Sequence, residues 1–166
     1  MSLKDLFESK AIRLVLEIGR LLISNNERIA IVESCTGGML GSYLTAVPGS
    51  SQWFVGGIVA YSNEIKENVV GVSHRVLEEY GAVSRQTARS MVRGVTRLMN
   101  TENGVAITGI AGPAGGTKKK PVGTVWIAVR SKLRYKERKF LFRGERDKVR
   151  KTAVLSALKM ALDNMK

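Results

Sequence analysis

The chain has 166 residues, of which 44% are hydrophobic and 25% are charged, a composition typical of soluble globular proteins. This length predicts a single domain that covers residues 1–166. The one cysteine, Cys35, excludes an internal disulfide and a multi-cysteine metal site, and no apolar run approaches the ~20 residues of a membrane span. We therefore expect a cytoplasmic protein that makes no contact with a membrane.

The formal net charge of +13 predicts attraction to anions of many kinds. Residues 130–151 alone include eleven lysines and arginines. Nucleic-acid-binding surfaces usually combine such charge with stacking aromatic residues or a recognition helix. Tyr135, Phe140 and Phe142 lie in this segment, but it contains no recognised binding motif. A solvated basic face is the preferred interpretation, and nucleic-acid binding is the alternative.

Helices and strands are predicted from the spacing of apolar residues and the positions of glycine and proline. In chain order they are a helix over residues 3–23, a strand from about residue 28, a helix over 39–46, a strand over 52–62, a helix over 63–70, a helical turn over 74–80, a helix over 84–99, strands over 104–110, 122–129 and 135–142, and a helix over 147–165. This order predicts a three-layer α/β/α domain with a mixed, mostly parallel sheet.

Three of these elements carry more specific predictions. Residues 52–62 are almost wholly apolar, which predicts a strand that is covered on both faces. The pair Gly56-Gly57 within it indicates a bulge or another backbone passing close by. Asn63 is the predicted N-cap of the next helix. The charged strand over residues 135–142 is expected to lie at or near an edge of the sheet, in a hairpin with the strand before it.

A polar turn over residues 33–38 follows a short buried strand and precedes a helix. Open α/β sheets bind ligands at the carboxyl ends of their strands, and the N–H groups at a helix start favour an anion. Ser34 is therefore a candidate nucleophile or phosphate ligand. In the alternative interpretation, Ser34 and Thr36 only cap the helix. Cys35 is a rival nucleophile, because a thiolate is favoured near a helix N-terminus.

A second glycine-rich loop, over residues 109–116, follows the third predicted strand. It lacks the Gly-Lys-Ser/Thr ending of a Walker loop, and its glycines do not have the spacing of a dinucleotide site. Its N–H groups are suited to a phosphate or an oxyanion. Each loop alone is commonly just a turn, but two of them at strand ends in one small domain favour a functional site.

A serine nucleophile needs a base, and the only histidine, His74, lies in a charged helical stretch where we expect it to be exposed. Lysine can act as a base where burial or nearby positive charge lowers its pKa. Lys66 is the best candidate by position, because it lies in the first turn of the helix that is predicted to follow a buried strand. Tyr61, at the tip of that strand, is placed to relay a proton or orient the hydroxyl. The alternatives are an ordinary surface lysine and a half-buried strand aromatic.

Three motifs occur in order along the chain. They are ESCTGG at residues 33–38, VGGIVAYSN at 55–63 with Lys66, and TGIAGPAGG at 108–116 followed by KPVGTV at 120–125. Together they resemble the CinA C-terminal domain family, which includes stand-alone nicotinamide-nucleotide amidases of the PncC type. The resemblance covers essentially the whole chain, and three separate motifs in the right order make it specific.

The resemblance implies hydrolysis of the carboxamide of nicotinamide mononucleotide to nicotinate mononucleotide and ammonia, in pyridine-nucleotide salvage. It implies Ser34 as the nucleophile, Lys66 as the general base and Tyr61 as a helper, without a metal or a cofactor. One lysine among residues 118–120 is expected to help the second loop hold the substrate phosphate. The other residues expected to line the site are Thr36, Gly37, Gly38, Thr108, Gly109, Gly112, Gly115 and Gly116.

In many relatives this domain is the C-terminal half of a longer protein whose other half resembles molybdopterin-binding domains. No activity of that other half is predicted for this chain. The expected partners are the small-molecule substrate and further copies of the chain in a homo-oligomer. The alternative function is a non-catalytic module that binds a nucleotide in the same pocket or nucleic acid on its basic face.

Overall fold

The computed structural model describes residues 3–132 and 134–166. In chain order the elements are α1 (Leu3–Asn25), β1 (Ile29–Glu33), α2 (Met39–Thr45), β2 (Phe54–Val59), α3 (Asn63–Asn68), α4 (His74–Tyr80), α5 (Arg85–Leu98), β3 (Asn103–Gly109), β4 (Thr124–Ser131), β5 (Arg134–Leu141) and α6 (Arg146–Met165). A short 3-10 turn over Ser50–Gln52 precedes β2. Each of these elements overlaps a predicted one, and most of their ends differ by one to three residues.

The five strands form one mixed sheet in the order β2-β1-β3-β4-β5. β1 pairs in parallel with β2 and β3, whereas β4 pairs antiparallel with β3 and β5. The predicted α/β/α fold with a mixed sheet is confirmed, and β5 lies at an edge in a hairpin with β4, as predicted. Because β1, β2 and β3 run in the same direction, their carboxyl ends meet at one end of the sheet, where such folds bind ligands.

Helices cover both faces of the sheet because alternate strand residues point to opposite sides. Ile29 and Ile31 of β1 face a core formed with α1, α2 and α6. Ala30 and Val32 face a second core, which is formed with α5 and the segments around α3 and α4. All five residues of β1 are consequently buried. Among the described residues, no helix is both long enough and apolar enough to cross a bilayer.

The prediction that residues 52–62 are covered on both faces is wrong. β2 lies at the edge of the sheet, and its side chains alternate between half-buried and exposed. Val55 is 42% exposed and Val59 is 48% exposed. The apolar composition reports strand formation, but it does not report whether the strand is central or at an edge.

Two local features of this segment bear on the earlier predictions. The bulge predicted near Gly56 is present, since Ile29 pairs with Phe54 while the next residue of β1 pairs with Gly56. The N-cap of α3 is Ser62 rather than Asn63. The Oγ of Ser62 accepts a hydrogen bond from the Ile65 N–H at 3.2 Å, which fixes the start of α3 directly after the end of β2.

Candidate active site

Ser34 lies directly after β1, in the turn that connects β1 to α2. Its N–H donates to the Ile107 carbonyl at 2.9 Å, which ties the turn to the neighbouring strand β3. Gly37 and Gly38, in the same turn, have φ values of 59° and 90°, a conformation that favours glycine. Ser34 is 8% exposed and lines a cleft between the strand ends.

Lys66 lies on α3, and its Nζ donates to Ser34 Oγ at 3.2 Å. The side chain is 1% exposed, which is rare for lysine. Nζ also donates to the Ala60 carbonyl at 2.8 Å, with longer contacts of 3.4 Å to the Tyr61 carbonyl and 3.5 Å to the Ser62 carbonyl. All three carbonyls belong to the segment that joins β2 to α3, so the backbone itself holds the amine against Ser34.

Burial lowers the pKa of Lys66 below its ordinary value of 10.5, because the charged ammonium is poorly solvated inside the protein. None of the ion pairs in the described part of the chain involves Lys66. A neutral amine has two N–H donors and one lone pair. If the backbone carbonyls accept the two N–H groups, the lone pair faces the hydroxyl of Ser34, which is the arrangement that a general base needs.

Cys35, the rival nucleophile, is 7% exposed. Burial, with a smaller contribution from the Glu33 carboxylate, raises the pKa of its thiol to about 12. The thiolate is the reactive form of cysteine, so a thiol with this pKa is unreactive at neutral pH. The environment therefore favours Ser34 over Cys35 as the nucleophile.

The second glycine-rich loop lies across the cleft from Ser34. The cleft has a volume of about 280 Å³, near the lower end of the range of small-molecule sites. Thr108, at the end of β3, uses its Oγ1 to donate to the Ala82 carbonyl at 2.8 Å. The predicted site residues that line the cleft together are Ser34, Tyr61, Lys66, Thr108, Gly109, Gly112 and Gly115.

The structure does not bring the other four predicted lining residues into this cleft. Gly37 and Gly38 line a separate cavity of about 530 Å³ between α1, α2 and α6. Thr36 is fully buried, and its carbonyl accepts a hydrogen bond from Arg150 Nη2 at 2.8 Å. Gly116 lines neither of these two cavities.

Besides Lys66, the basic residue that lines the cleft is Arg146, the first residue of α6, and sequence reasoning missed it. Its Nη1 donates to the Gly112 carbonyl at 2.7 Å and its Nη2 donates to Tyr61 Oη at 3.0 Å, so it joins the two walls of the cleft. None of the lysines at residues 118–120 lines the cleft, and Lys120 Nζ donates instead to the Tyr80 carbonyl at 2.8 Å. The sequence did not identify Arg146 as a site residue, because it is one of eleven lysines and arginines in residues 130–151 and charge alone does not distinguish them.

The anion expected at the start of α2 is present, but it is a side chain of the protein. The Glu33 carboxylate accepts the N–H of Leu40 at 3.0 Å and the N–H of Gly41 at 2.9 Å. These N–H groups are therefore not available to a substrate. The N-cap residue of α2 is Gly38, and the N–H groups of its first turn are bound by Glu33 rather than by Ser34 or Thr36. The interpretation of Ser34 and Thr36 as capping residues is therefore not supported.

His74 is exposed, as predicted, and its side chain is 68% accessible. Its ring nitrogens face Glu67 at 3.0 Å and Glu78 at 3.3 Å, and His74 does not line the cleft that contains Ser34. Over the described ranges, no group of three or more His, Cys, Asp or Glu side chains is arranged to hold a metal ion.

Comparison with known proteins agrees with the fold and the motifs. The family model of the CinA C-terminal domain matches residues 12–165. The chain is 48% identical over 143 residues to a competence-damage inducible protein of Clostridium beijerinckii, and 46% identical over 151 residues to a CinA-like protein of Thermotoga neapolitana. These alignments cover 86% and 89% of this chain but 35% of each relative, so the chain spans about a third of the length of the curated relatives it matches.

A crystal structure from Enterobacter asburiae, of a competence or damage-inducible protein, has the same fold. It superposes with a TM-score of 0.91 at 31% sequence identity, and the match covers 94% of this chain and 98% of that one. The family match and the structural match each extend over nearly the whole chain. The chain therefore belongs to the CinA C-terminal domain family.

Proposed function

We propose that the chain hydrolyses the carboxamide of nicotinamide mononucleotide to nicotinate mononucleotide and ammonia. The observation that carries this proposal is the 3.2 Å contact between Ser34 Oγ and the Nζ of Lys66, a lysine that is 1% exposed. A buried lysine with a lowered pKa beside a serine hydroxyl is suited to acyl transfer from an amide. The choice of substrate rests on the resemblance of the three motifs to the amidases of this family.

In the first half of the reaction, Ser34 Oγ attacks the carboxamide carbon while neutral Lys66 takes the hydroxyl proton. The tetrahedral intermediate collapses, the C–N bond breaks, and the Lys66 ammonium returns the proton to the departing ammonia. This leaves an ester of nicotinate mononucleotide on Ser34. In the second half, Lys66 takes a proton from water, which attacks the ester, and then returns it to Ser34 Oγ as the acid leaves.

The oxyanion of each tetrahedral intermediate needs N–H donors close to Ser34. The N–H groups of Cys35 and Thr36 have no acceptor in another residue within the described part of the chain. The N–H of the residue after the nucleophile serves this role in other serine hydrolases, and we assign it here to Cys35. For the substrate phosphate we assign Arg146, because its guanidinium is the cationic group that lines the cleft.

The test is ammonia release from nicotinamide mononucleotide by the wild type and by Ser34→Ala, without added metal. We expect the wild type to release ammonia and the variant to lose at least about 10³-fold in rate, because the covalent route is removed. Ser42→Ala, which removes an exposed hydroxyl outside the cleft, is the matched control and should keep full activity. Full turnover by Ser34→Ala would show that the nucleophile lies elsewhere, and no turnover by the wild type would refute the proposed activity.

A further inference from the structure

β1 ends in a glutamate, Glu33, that is 2% exposed. A buried carboxylate is costly unless its oxygens are hydrogen-bonded. Here one oxygen accepts the Leu40 N–H at 3.0 Å and the other accepts the Gly41 N–H at 2.9 Å. Both N–H groups belong to the first turn of α2 and have no partner within that helix. The carboxylate and the start of α2 therefore satisfy each other, and the side chain bridges the turn that contains Ser34.

The backbone of Glu33 is also held by a hydrogen bond to a neighbouring segment. The Glu33 carbonyl accepts the Ala60 N–H at 2.8 Å, and the carbonyl of Ala60 in turn accepts a hydrogen bond from Lys66 Nζ at 2.8 Å. On the other side, the N–H of Ser34 donates to Ile107 at 2.9 Å. Glu33 thus contacts both the segment that holds the base and the helix that follows the nucleophile.

We propose that Glu33 is a positioning residue, whose carboxylate holds α2 against the turn and thereby keeps Ser34 Oγ within hydrogen-bond reach of Lys66 Nζ. This inference rests on the proposed function, since it requires Ser34 as the nucleophile. Glu33 acts through the geometry of the turn. The basicity of Lys66 has a different origin, because burial is the main cause of its lowered pKa.

The first test is the kinetics of Glu33→Gln. The side chain keeps its shape, but its amide group turns a donor toward one of the two N–H groups that the carboxylate accepts. We expect kcat to fall about 10- to 100-fold, because a small misplacement of a reacting atom costs about this much. KM should stay within about threefold and the pH midpoint of kcat/KM should not move, because Arg146 and Lys66 are unchanged.

The second test measures Ser34 directly by its rate of modification with a fluorophosphonate, which phosphonylates activated serines, with loss of fluoride, in the absence of any amide substrate. This rate should fall by the same factor as kcat. Glu27→Gln is the matched control, because Glu27 is also buried, at 7% exposure, but lies at the other end of β1. Its oxygens face Asn103 Nδ2 at 2.9 Å and Lys132 Nζ at 3.0 Å, so its loss should lower stability and leave both rates unchanged.

The outcomes separate this inference from the proposed function. Equal modification rates and equal kcat in folded Glu33→Gln and wild type would refute the positioning role, and so would a shifted pH midpoint or a change in KM alone. A wild type that is modified at Ser34 but releases no ammonia would refute the substrate and leave the positioning role testable by modification. If Ser34 is not modified in the wild type, the positioning role of Glu33 fails, whereas the proposed activity is still decided by ammonia release.

If Glu33→Gln does not fold, Glu33→Asp gives the same information. The shorter side chain keeps a carboxylate but falls short of the two N–H groups by one methylene. The same loss of kcat and of modification rate is expected, and wild-type values for both would overturn the inference.

Discussion

At the scale of single residues, the site depends on the burial of Lys66 beside Ser34. A lysine is almost never fully buried without an acidic partner, since the charged form loses its hydration. Lys66 is 1% exposed and is surrounded by backbone carbonyls. The fold therefore lowers the pKa of this one amine toward the range in which it can accept a proton.

The pH dependence of activity follows from this residue. The base must be neutral, so kcat/KM should fall as pH decreases through the lowered pKa of Lys66 and reach a plateau above it, with a midpoint below 10.5. Initial rates measured across this range check the prediction. Lys66→Met, which keeps the length of the side chain but not the base, should lose about 10²–10⁴-fold at every pH. A wild-type rate that does not depend on pH would contradict the assignment.

Arg146 should decide how well the substrate phosphate is held. We expect Arg146→Gln to raise KM for nicotinamide mononucleotide about tenfold or more, because a charge-assisted hydrogen bond is lost. The wild type should also hydrolyse nicotinamide riboside poorly, because the riboside has no phosphate. Arg146→Gln should reduce kcat/KM for the riboside much less than it reduces kcat/KM for the mononucleotide. Arg143→Gln, an exposed arginine outside the cleft, is the control. Equal losses for both substrates would assign Arg146 to structure rather than to phosphate binding.

The residues of the site differ in how far the sequence could predict them. Ser34 and Tyr61 lie just after strands and Lys66 lies on the short helix that follows β2. Strand ends can be located from apolar patterns and motif spacing. Arg146 lies in a segment of uniform positive charge, and it reaches the cleft only because α6 packs across the sheet. No spacing rule reports that contact, since its partners Gly112 and Tyr61 are 34 and 85 residues away.

At the scale of elements, the order and type of helices and strands were predictable, but their surroundings were not. β2 has four hydrophobic residues of six and β3 has three of seven, yet the side chains of β3 are buried and alternate ones of β2 are exposed. The difference arises from position in the sheet, because β2 is at an edge and β3 lies between β1 and β4. Position in a sheet is set by pairings between distant segments, which apolar periodicity does not encode.

The approach of α5 to the end of α3 depends on one glycine. A Cβ on Gly94 would overlap the carbonyl oxygen of Val70, which follows α3. Gly94→Ala should therefore lower the free energy of unfolding by about 1–3 kcal/mol, although alanine favours a helix by ~1 kcal/mol over glycine. Activity should fall as well, because α3 carries Lys66.

Urea denaturation and ammonia release measure the two effects of Gly94→Ala. Gln86→Ala, at an exposed position of the same helix, is the control and should change neither by much. A gain in stability for Gly94→Ala, of the size expected in an unobstructed helix, would show that α5 and Val70 are less closely packed than described.

Across the whole molecule, the positive charge is not uniformly a solvated face. Glu137 is 4% exposed and pairs with Arg85 at 3.1 Å and Arg89 at 2.7 Å, which joins β5 to α5. Arg146 and Arg150 contact the two loops of the site. Within residues 130–151, Arg146 and Arg150 thus make specific contacts, whereas the lysines and arginines of β5 are exposed, as expected for a solvated basic face. The net charge of +13 should also draw an anionic substrate toward the protein, more weakly as salt is added.

The contacts of α6 also determine when the site becomes complete during synthesis. The carbonyl of Thr36, in the turn that contains Ser34, accepts a hydrogen bond from Arg150, which is synthesised 114 residues later. A ribosome-bound chain that lacks α6 already has Ser34 and Lys66, but one face of the sheet lacks one of the three helices that cover it and the cleft lacks Arg146. Contacts between residues so far apart in sequence are slow to form. Ser34 therefore has its complete surroundings only after α6 has docked, and its reactivity should report that docking.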